Sequence, residues 1–298
     1  MPGYGRGKQG AAFGYTKVRG YHPQLATCAQ SGQVLFARLR GGSAGAPRGA
    51  KSFLTETVSR TRDAGATGPL TVRADSAFYS TAVLHTARRL DVRFSVTVRH
   101  DQKVRAAIAA IPETAWVPIP YWLSTPEVSG ADIAETSYSC FSGRDELTVR
   151  LVVRRVRPTP GSQLALFTAW DYHAFVTDRD LPLAEVEADH RRHAVVEQSI
   201  AELKSAGLAH LPSGLFNANA AWLALTVMAH NLGRGVGILT GGPEQRATAR
   251  TLRHRLFVVP GRLVYSGRRL HLRLPEHWPS AASFATALGS ITAIPLRC

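Results

Sequence analysis

Two carboxylates carry the chemistry that this sequence offers. Asp75 follows the strand-like run Leu70-Thr71-Val72-Arg73-Ala74, and Glu197 lies in the helix-like stretch from His190 to Lys204. A carboxylate at the C-terminal tip of a buried strand, with another projecting from a helix packed beside it, is the arrangement two magnesium ions need. Such ions activate water and stabilise the oxygen displaced from a phosphodiester. Each residue also has a plainer reading. An aspartate followed by serine just past a strand often caps the next helix or closes a turn, and a charged helical stripe is often a solvated face laced with ion pairs.

These acids need elements to hold them. At 3.6 residues per turn, Val196, Ile200 and Leu203 fall on one apolar stripe, while His190, His193, Glu197 and Lys204 form a polar stripe along its edge. Asp180 and Pro182 supply the start of one long helix closed near Gly207. The acids Glu185, Glu187, Asp189 and Glu202 share that helix as rivals to Glu197, at poorer offsets from the Val196 stripe. Upstream, residues 22–40 read as a hairpin around Ser31-Gly32, Gly41 to Gly49 as a small-residue loop, and Phe53 to the Gly65–Pro69 break as a helix. The strand ending at Asp75, a helix over 82–90 and a strand over 92–98 follow. This order predicts a mixed α/β layered sheet.

From residue 101 to 180 short alternating runs replace the helical period, at 115–119, 146–153 and 164–170, which predicts a β-rich insertion. Asn217 to Leu232 reads as an apolar helix buried on most sides. The tail is rich in arginine, with strand-like runs at Leu256–Val259 and Leu270–Leu274. The expected organisation is a core over 1–100, the insertion over 101–180, the core resumed over 181–240 with the Glu197 helix, and a basic segment over 241–298.

The 298 residues include 36 basic and 21 acidic side chains, a formal charge of +15 with a pI near 10.5. Only Lys8, Lys17, Lys51, Lys103 and Lys204 are lysines, so the excess is arginine, which grips phosphate in two-pronged fashion. A polyanion is the partner this implies, although arginine-rich coding gives the same composition. Cys28, Cys140 and Cys298 belong to no CxxC or Cys/His cluster, so neither a zinc site nor a disulfide framework is expected. A reducing cytoplasm fits, and without a signal core or a long apolar run no membrane partner is expected.

The segments Lys8-Gln9-Gly10-Ala11-Ala12-Phe13-Gly14-Tyr15, Gly20-Tyr21-His22-Pro23, Arg73-Ala74-Asp75-Ser76-Ala77-Phe78-Tyr79, Asp189 to Lys204, His210-Leu211-Pro212-Ser213 and Phe216 to Leu223 span most of the chain. Together they resemble the DDE transposases of bacterial insertion sequences (transposase DDE domain, group 1), and within them the group often called the thirteen-eighty family. The resemblance implies a ribonuclease H-like mixed sheet with flanking helices and a β-rich insertion before the last catalytic helix. It implies that Asp75 and Glu197 are the second and third metal-binding acids of a two-metal site for magnesium or manganese. The family's helix pattern of tyrosine, arginine, glutamate and lysine maps onto His190, His193, Glu197 and Lys204, so the first two positions are histidine here and Arg191 or Arg192 takes the phosphate grip.

The family's first aspartate lies on a first strand ahead of the lysine-glutamine-glycine segment, and this sequence has no acid before Glu56. The resemblance therefore implies an N-terminally truncated member with the first strand missing and an incomplete metal site, impaired because even losses around a metal's ligands cost about 10–100-fold. A structural gap, or a makeshift strand from residues 11–20, is expected beside the Asp75 strand. The implied partner is double-stranded DNA, as element ends and target, held by a homodimer, with Arg38, Arg40, Arg48, Lys51, Arg191, Arg192 and Lys204 as grips. Trp170 and Tyr172 are placed to stack on a displaced base or to fill a β core. Two other readings stay open: a non-catalytic DNA-binding remnant, and a cellular nuclease of the same fold acting on hybrids or junctions.

Overall fold

The structure is a computed structural model that describes residues 7–14, 17–120, 128–158, 170–192, 194–275 and 277–295. Its elements are, in order, β1 (Ala12–Phe13), β2 (Arg19–Gly20), β3 (Gln24–Thr27), β4 (Val34–Arg38), α1 (Ala50–Asp63), β5 (Leu70–Ala74), α2 (Thr81–Arg89), β6 (Val92–Thr97), α3 (Gln102–Ala109), β7 (Val117–Ile119), β8 (Val128–Cys140), β9 (Leu147–Pro158) and β10 (Asp171–Thr177). There follow α4 (Leu183–Arg191), α5 (Ala194–Leu203), α6 (Phe216–Thr240), α7 (Ala249–Leu252), β11 (Arg262–Ser266), β12 (Arg269–Arg273) and α8 (Ala281–Thr292). They form two compact units, Gly45–Ala194, and Met1–Ala44 with Val195–Cys298.

The unit Gly45–Ala194 is mixed α/β. Its six-stranded sheet has the order β5-β6-β10-β9-β8-β7, with β5 parallel to β6 and every other pair antiparallel. A parallel pair needs a crossover. Here α2 supplies it, started by Ser80, whose hydroxyl accepts from the Val83 amide at 3.4 Å. Strand alternation then sorts the apolar residues. Phe94, Val96, Leu151, Val153 and Val176 form one core with Leu54 and Val58 of α1, Leu84 and Ala87 of α2, and Val104 and Ile108 of α3. Val152 and Phe175, between those positions in sequence, instead meet Val186 and Leu183 of α4. Each fully buried large side chain contributes about 1.5–3 kcal/mol.

The strands of the 101–180 segment continue this sheet, and β10 pairs directly with β6. Of the run expected at 164–170, only Trp170 is among the described residues, and it is in no strand. The long helix expected from Asp180 to Gly207 is two helices. α4 is capped at its end by Arg192 and α5 begins at Ala194, so the polar stripe does not run down one continuous helix. The physical reason lies in α4 itself, whose Glu187, Asp189 and His190 are all tied to the sheet and fix its axis.

In the other unit β3 and β4 form the expected hairpin, turning through Gly32 at φ 69°. Val34 and Leu39 pack with Tyr21, Leu203, Leu208, Leu211 and Leu223. Among the described residues, no strand of 11–20 pairs with β5: β1 and β2 pair with each other, and β5 pairs with β6 alone. The segments that carried the family resemblance lock together. Gln9 N–H donates to the Gly214 carbonyl at 2.9 Å, Lys8 donates to the Leu211 carbonyl, and Tyr21 Oη donates to the Gln9 carbonyl at 2.8 Å. Asn219, fully buried, accepts from the Ser213 amide at 2.9 Å and donates to Tyr21 Oη at 3.2 Å.

α6 runs past Leu232 to Thr240, and it is not buried on most sides: Trp222, Leu225, Met228 and Leu232 are exposed. The expected strand Leu256–Val259 is not formed, since Arg253–Phe257 is a π turn, whereas Leu270–Leu274 largely coincides with β12. Among the described residues no helix is long and apolar enough to cross a membrane.

Candidate active site

Asp75 stands exposed, one residue past β5. Its Oδ1 accepts the Ala77 amide at 3.0 Å and so caps the short turn Ser76–Phe78. Capping uses one oxygen and leaves Oδ2 without a protein partner among the described residues. The capping reading of Asp75 is therefore met, and the second oxygen is left over.

The strand that carries Asp75 is fastened to α4. Arg73 donates to the Asp189 carbonyl, and its guanidinium lies 3.9 Å from the Asp189 carboxylate, which also pairs with Arg179 and lies 3.8 Å from Arg192. Burial pulls the Arg73 pKa below its ordinary value while Asp189 opposes that shift. Next to it Glu187, 1% exposed, is held between Arg154 at 2.6 Å and Arg191 at 3.0 Å. His190 lies flat on Phe175, 3.9 Å between ring centres, with Nδ1 2.7 Å from Ser95 Oγ and Nε2 3.1 Å from Thr97 Oγ1. The one sign of this clamp in the sequence is Arg73, an arginine within a strand otherwise suited to burial.

Glu197 belongs to the other unit. It is exposed on α5 and makes no ion pair or hydrogen bond through its carboxylate among the described residues. Lys204 is also exposed and opens the π turn Lys204–Leu208, where Gly207 takes φ 130°. Glu202 is committed inside: it accepts from Gln198 at 3.1 Å and from the Ala249 amide at 3.2 Å, and His230 Nδ1 lies 3.9 Å away. Asp75, His190, Arg191 and Arg192 thus share one unit, and Glu197 and Lys204 the other. His193 lies outside the described residues. Among those described, no three histidine, cysteine or carboxylate side chains converge as a metal-ligand group.

The remaining grips differ in availability. Arg40 is buried and donates to the His22 carbonyl at 3.0 Å, and Arg38 lies 5.4 Å from the Phe36 ring centre, whereas Arg48 and Lys51 are exposed. Trp170 has the Arg155 guanidinium 4.1 Å and that of Arg157 4.8 Å from its ring centre, and Tyr172 leans on Trp116 at 6.1 Å. A cavity of about 770 Å³ opens at Val92, Val149 and Thr177. Because β5 and β6 are parallel, that is the end of the sheet opposite Asp75. Its arginines already have partners: Arg150 holds Glu135, and Arg93 donates to the Asp178 carbonyl at 3.2 Å. It is a poor site for a phosphate chain.

The sequence matches the family described as transposase DDE domain, group 1, over residues 1–296. The chain belongs to that family. No curated protein sequence matches this DDE transposase. Among solved structures, the cryo-EM structure of a piggyBac transposase synaptic complex with hairpin DNA is similar with a TM-score of 0.42 and 11% identity, over 94% of this chain and 50% of that one. This chain therefore spans about half the length of that protein. The six-stranded mixed sheet with helices packed on it agrees with the ribonuclease H-like class expected of a DDE transposase.

Proposed function

We propose that this DDE transposase performs metal-dependent phosphoryl transfer on double-stranded DNA, cutting at the ends of an insertion sequence and joining them to target, with Asp75 and Glu197 as metal-binding acids. The observation that carries this is the state of the carboxylates. Of the rival acids, Glu187, Asp189 and Glu202 are used internally, while Asp75 keeps one oxygen and the exposed Glu185 and Glu197 keep both; the family motif, not the carboxylate state, favours Glu197 over Glu185. Uncommitted carboxylate oxygens are the donors a hard divalent cation takes. The donors fit in kind, and they are two acids of a set that uses three. When bound, magnesium or manganese supplies Lewis-acid activation of water and stabilisation of the departing 3′ oxygen.

The chain's own residues then bind and orient. Asp75 is held at its strand tip by the Ala77 amide, and Arg73 and Asp189 fix that strand against α4. Arg192 and Lys204, both exposed, grip phosphate, while His190 and Arg191 position α4 through the sheet and Glu187. A homodimer on DNA in the cytoplasm completes the reading.

A second reading, DNA binding without cleavage, draws on the basic surface alone. Asp75→Ala and Glu197→Gln separate the two. On the transposase reading both variants lose magnesium-dependent cutting of duplex DNA and magnesium-dependent thermal stabilisation, while salt-sensitive binding survives. If the unaltered chain neither cuts nor is stabilised by magnesium or manganese, the binding reading replaces it.

A further inference from the structure

The hairpin of β11 and β12 has no part in the cleavage reading, yet it concentrates charge. Its register pairs Arg262 with Arg273, Leu263 with Leu272, Val264 with His271, Tyr265 with Leu270 and Ser266 with Arg269. Side chains alternate along a strand. Arg262, Arg269, His271 and Arg273 therefore share one face with Val264 and Ser266, and Leu263, Tyr265, Leu270 and Leu272 share the other. Gly267 and Arg268 make the two-residue turn, with φ 58° and 61°. Left-handed angles at both turn positions suit glycine and asparagine, so an arginine is held at the tip against its steric preference.

Several features are unfavourable without a partner. Arg262 and Arg273 face each other across the ladder, where like charges repel. Arg262, Arg268, Arg269 and Arg273 are all exposed, and none makes a side-chain ion pair or hydrogen bond among the described residues. Residues 245–275 include Arg246, Arg250, Arg253, Arg255, Arg262, Arg268, Arg269 and Arg273 and no aspartate or glutamate. A polyanion relieves this repulsion and releases counterions. A two-stranded ribbon is also a shape that the major groove, about 12 Å wide, admits. The arginine face carries no Phe, Tyr or Trp, since Tyr265 lies on the reverse, and its single ring, His271, is no platform for successive bases of a single strand.

We propose that the β11–β12 ribbon is a duplex-DNA docking element, laying its arginine face and the Arg268 tip on the sugar–phosphate backbone. This rests on the reading that the chain acts on DNA, and assigns the surface that holds it.

The test uses the full chain carrying Arg262→Gln, Arg268→Gln, Arg269→Gln and Arg273→Gln, with binding to a short duplex of arbitrary sequence followed by fluorescence anisotropy across a potassium chloride series. The slope of log affinity against log salt should become shallower by about 0.9 per lost contact, about 3.6 for all of them. Replacing the same residues with lysine should restore most of it. Arg89→Gln, Arg99→Gln, Arg105→Gln and Arg144→Gln together remove equal formal charge from exposed positions elsewhere and should change the slope by less than about 1.

A ribbon variant with the unaltered slope overturns the proposal, as does an equal loss in both glutamine variants, or a loss confined to phosphatidylserine vesicles. If the unaltered chain binds DNA and the ribbon variant binds equally, this inference alone fails. If the unaltered chain shows no salt-sensitive DNA binding, the transposase reading fails with it.

Discussion

Glu187 illustrates how residue chemistry separates acids that look alike in sequence. It sits between Arg154 and Arg191 with 1% exposure, so Glu187→Gln leaves buried guanidinium charge uncompensated and should cost about 3 kcal/mol in urea unfolding. Glu197→Gln, at an exposed position, should change stability by less than about 0.5 kcal/mol; a comparable loss at both would refute the division drawn between them. The thiols divide similarly. Burial pushes the Cys140 thiol up, whereas at Cys28 hydrogen bonds from Ser31 and Gln30 outweigh burial and bring the pKa down. Iodoacetamide should therefore label Cys28 in the native protein well before Cys140, read by peptide mass, and equal rates would contradict this. The place of Asp75 just past β5, and its cap on the next turn, were legible in the sequence because an aspartate-serine pair after a short apolar run has few places to go. The partners of Glu187 and Asp189 were not, because Arg73, Arg154 and Arg179 reach α4 only through the sheet's register.

At the scale of elements, α1, α2, β5 and β6 fall where their periods put them, and β7 and β9 overlap the alternating runs at 115–119 and 146–153, whereas Leu256–Val259 alternates no less and forms no strand. What sequence could not supply was the joining of β10 to β6 across about eighty positions, since pairing of that range depends on which partner the fold makes available. The break between α4 and α5 was hidden for a related reason: no proline or glycine marks it. The glycines of the 41–49 loop, legible only as a loop, have one member with a packing role. A Cβ on Gly42 would lie 2.1 Å from the Gly20 carbonyl oxygen and 2.2 Å from that of Ala12, both main chain. Gly42→Ala must push β1 and β2 away from the loop and should cost about 1–3 kcal/mol. Gly45→Ala, whose Cβ would meet nothing nearer than 3.9 Å, is the matched comparison; thermal melts that do not differ would exclude a tight contact at Gly42.

For the whole molecule the governing quantity is charge. A formal +15 on 298 residues repels itself, and added salt screens that repulsion, so the free protein should melt at higher temperature as salt rises. Duplex DNA acts with the opposite dependence. On the proposed reading it binds the folded arginine surface, which would stabilise by about 2.7 kcal/mol at a hundred times its dissociation constant, an advantage that disappears as salt weakens phosphate contacts. Melting curves with and without DNA should therefore lie far apart at low salt and converge at high salt, the free curve rising while the bound one falls. The Asp75→Ala protein should show the same convergence, because Asp75 contributes no positive charge and its loss leaves every arginine in place. Scanning fluorimetry across a salt series would decide this, and parallel curves would mean that neither the net charge nor the basic surface governs how this chain meets DNA. The sign of each slope follows from composition alone, whereas the size of the gap depends on how many arginines are left without an internal partner, as those of β11, β12 and their turn are.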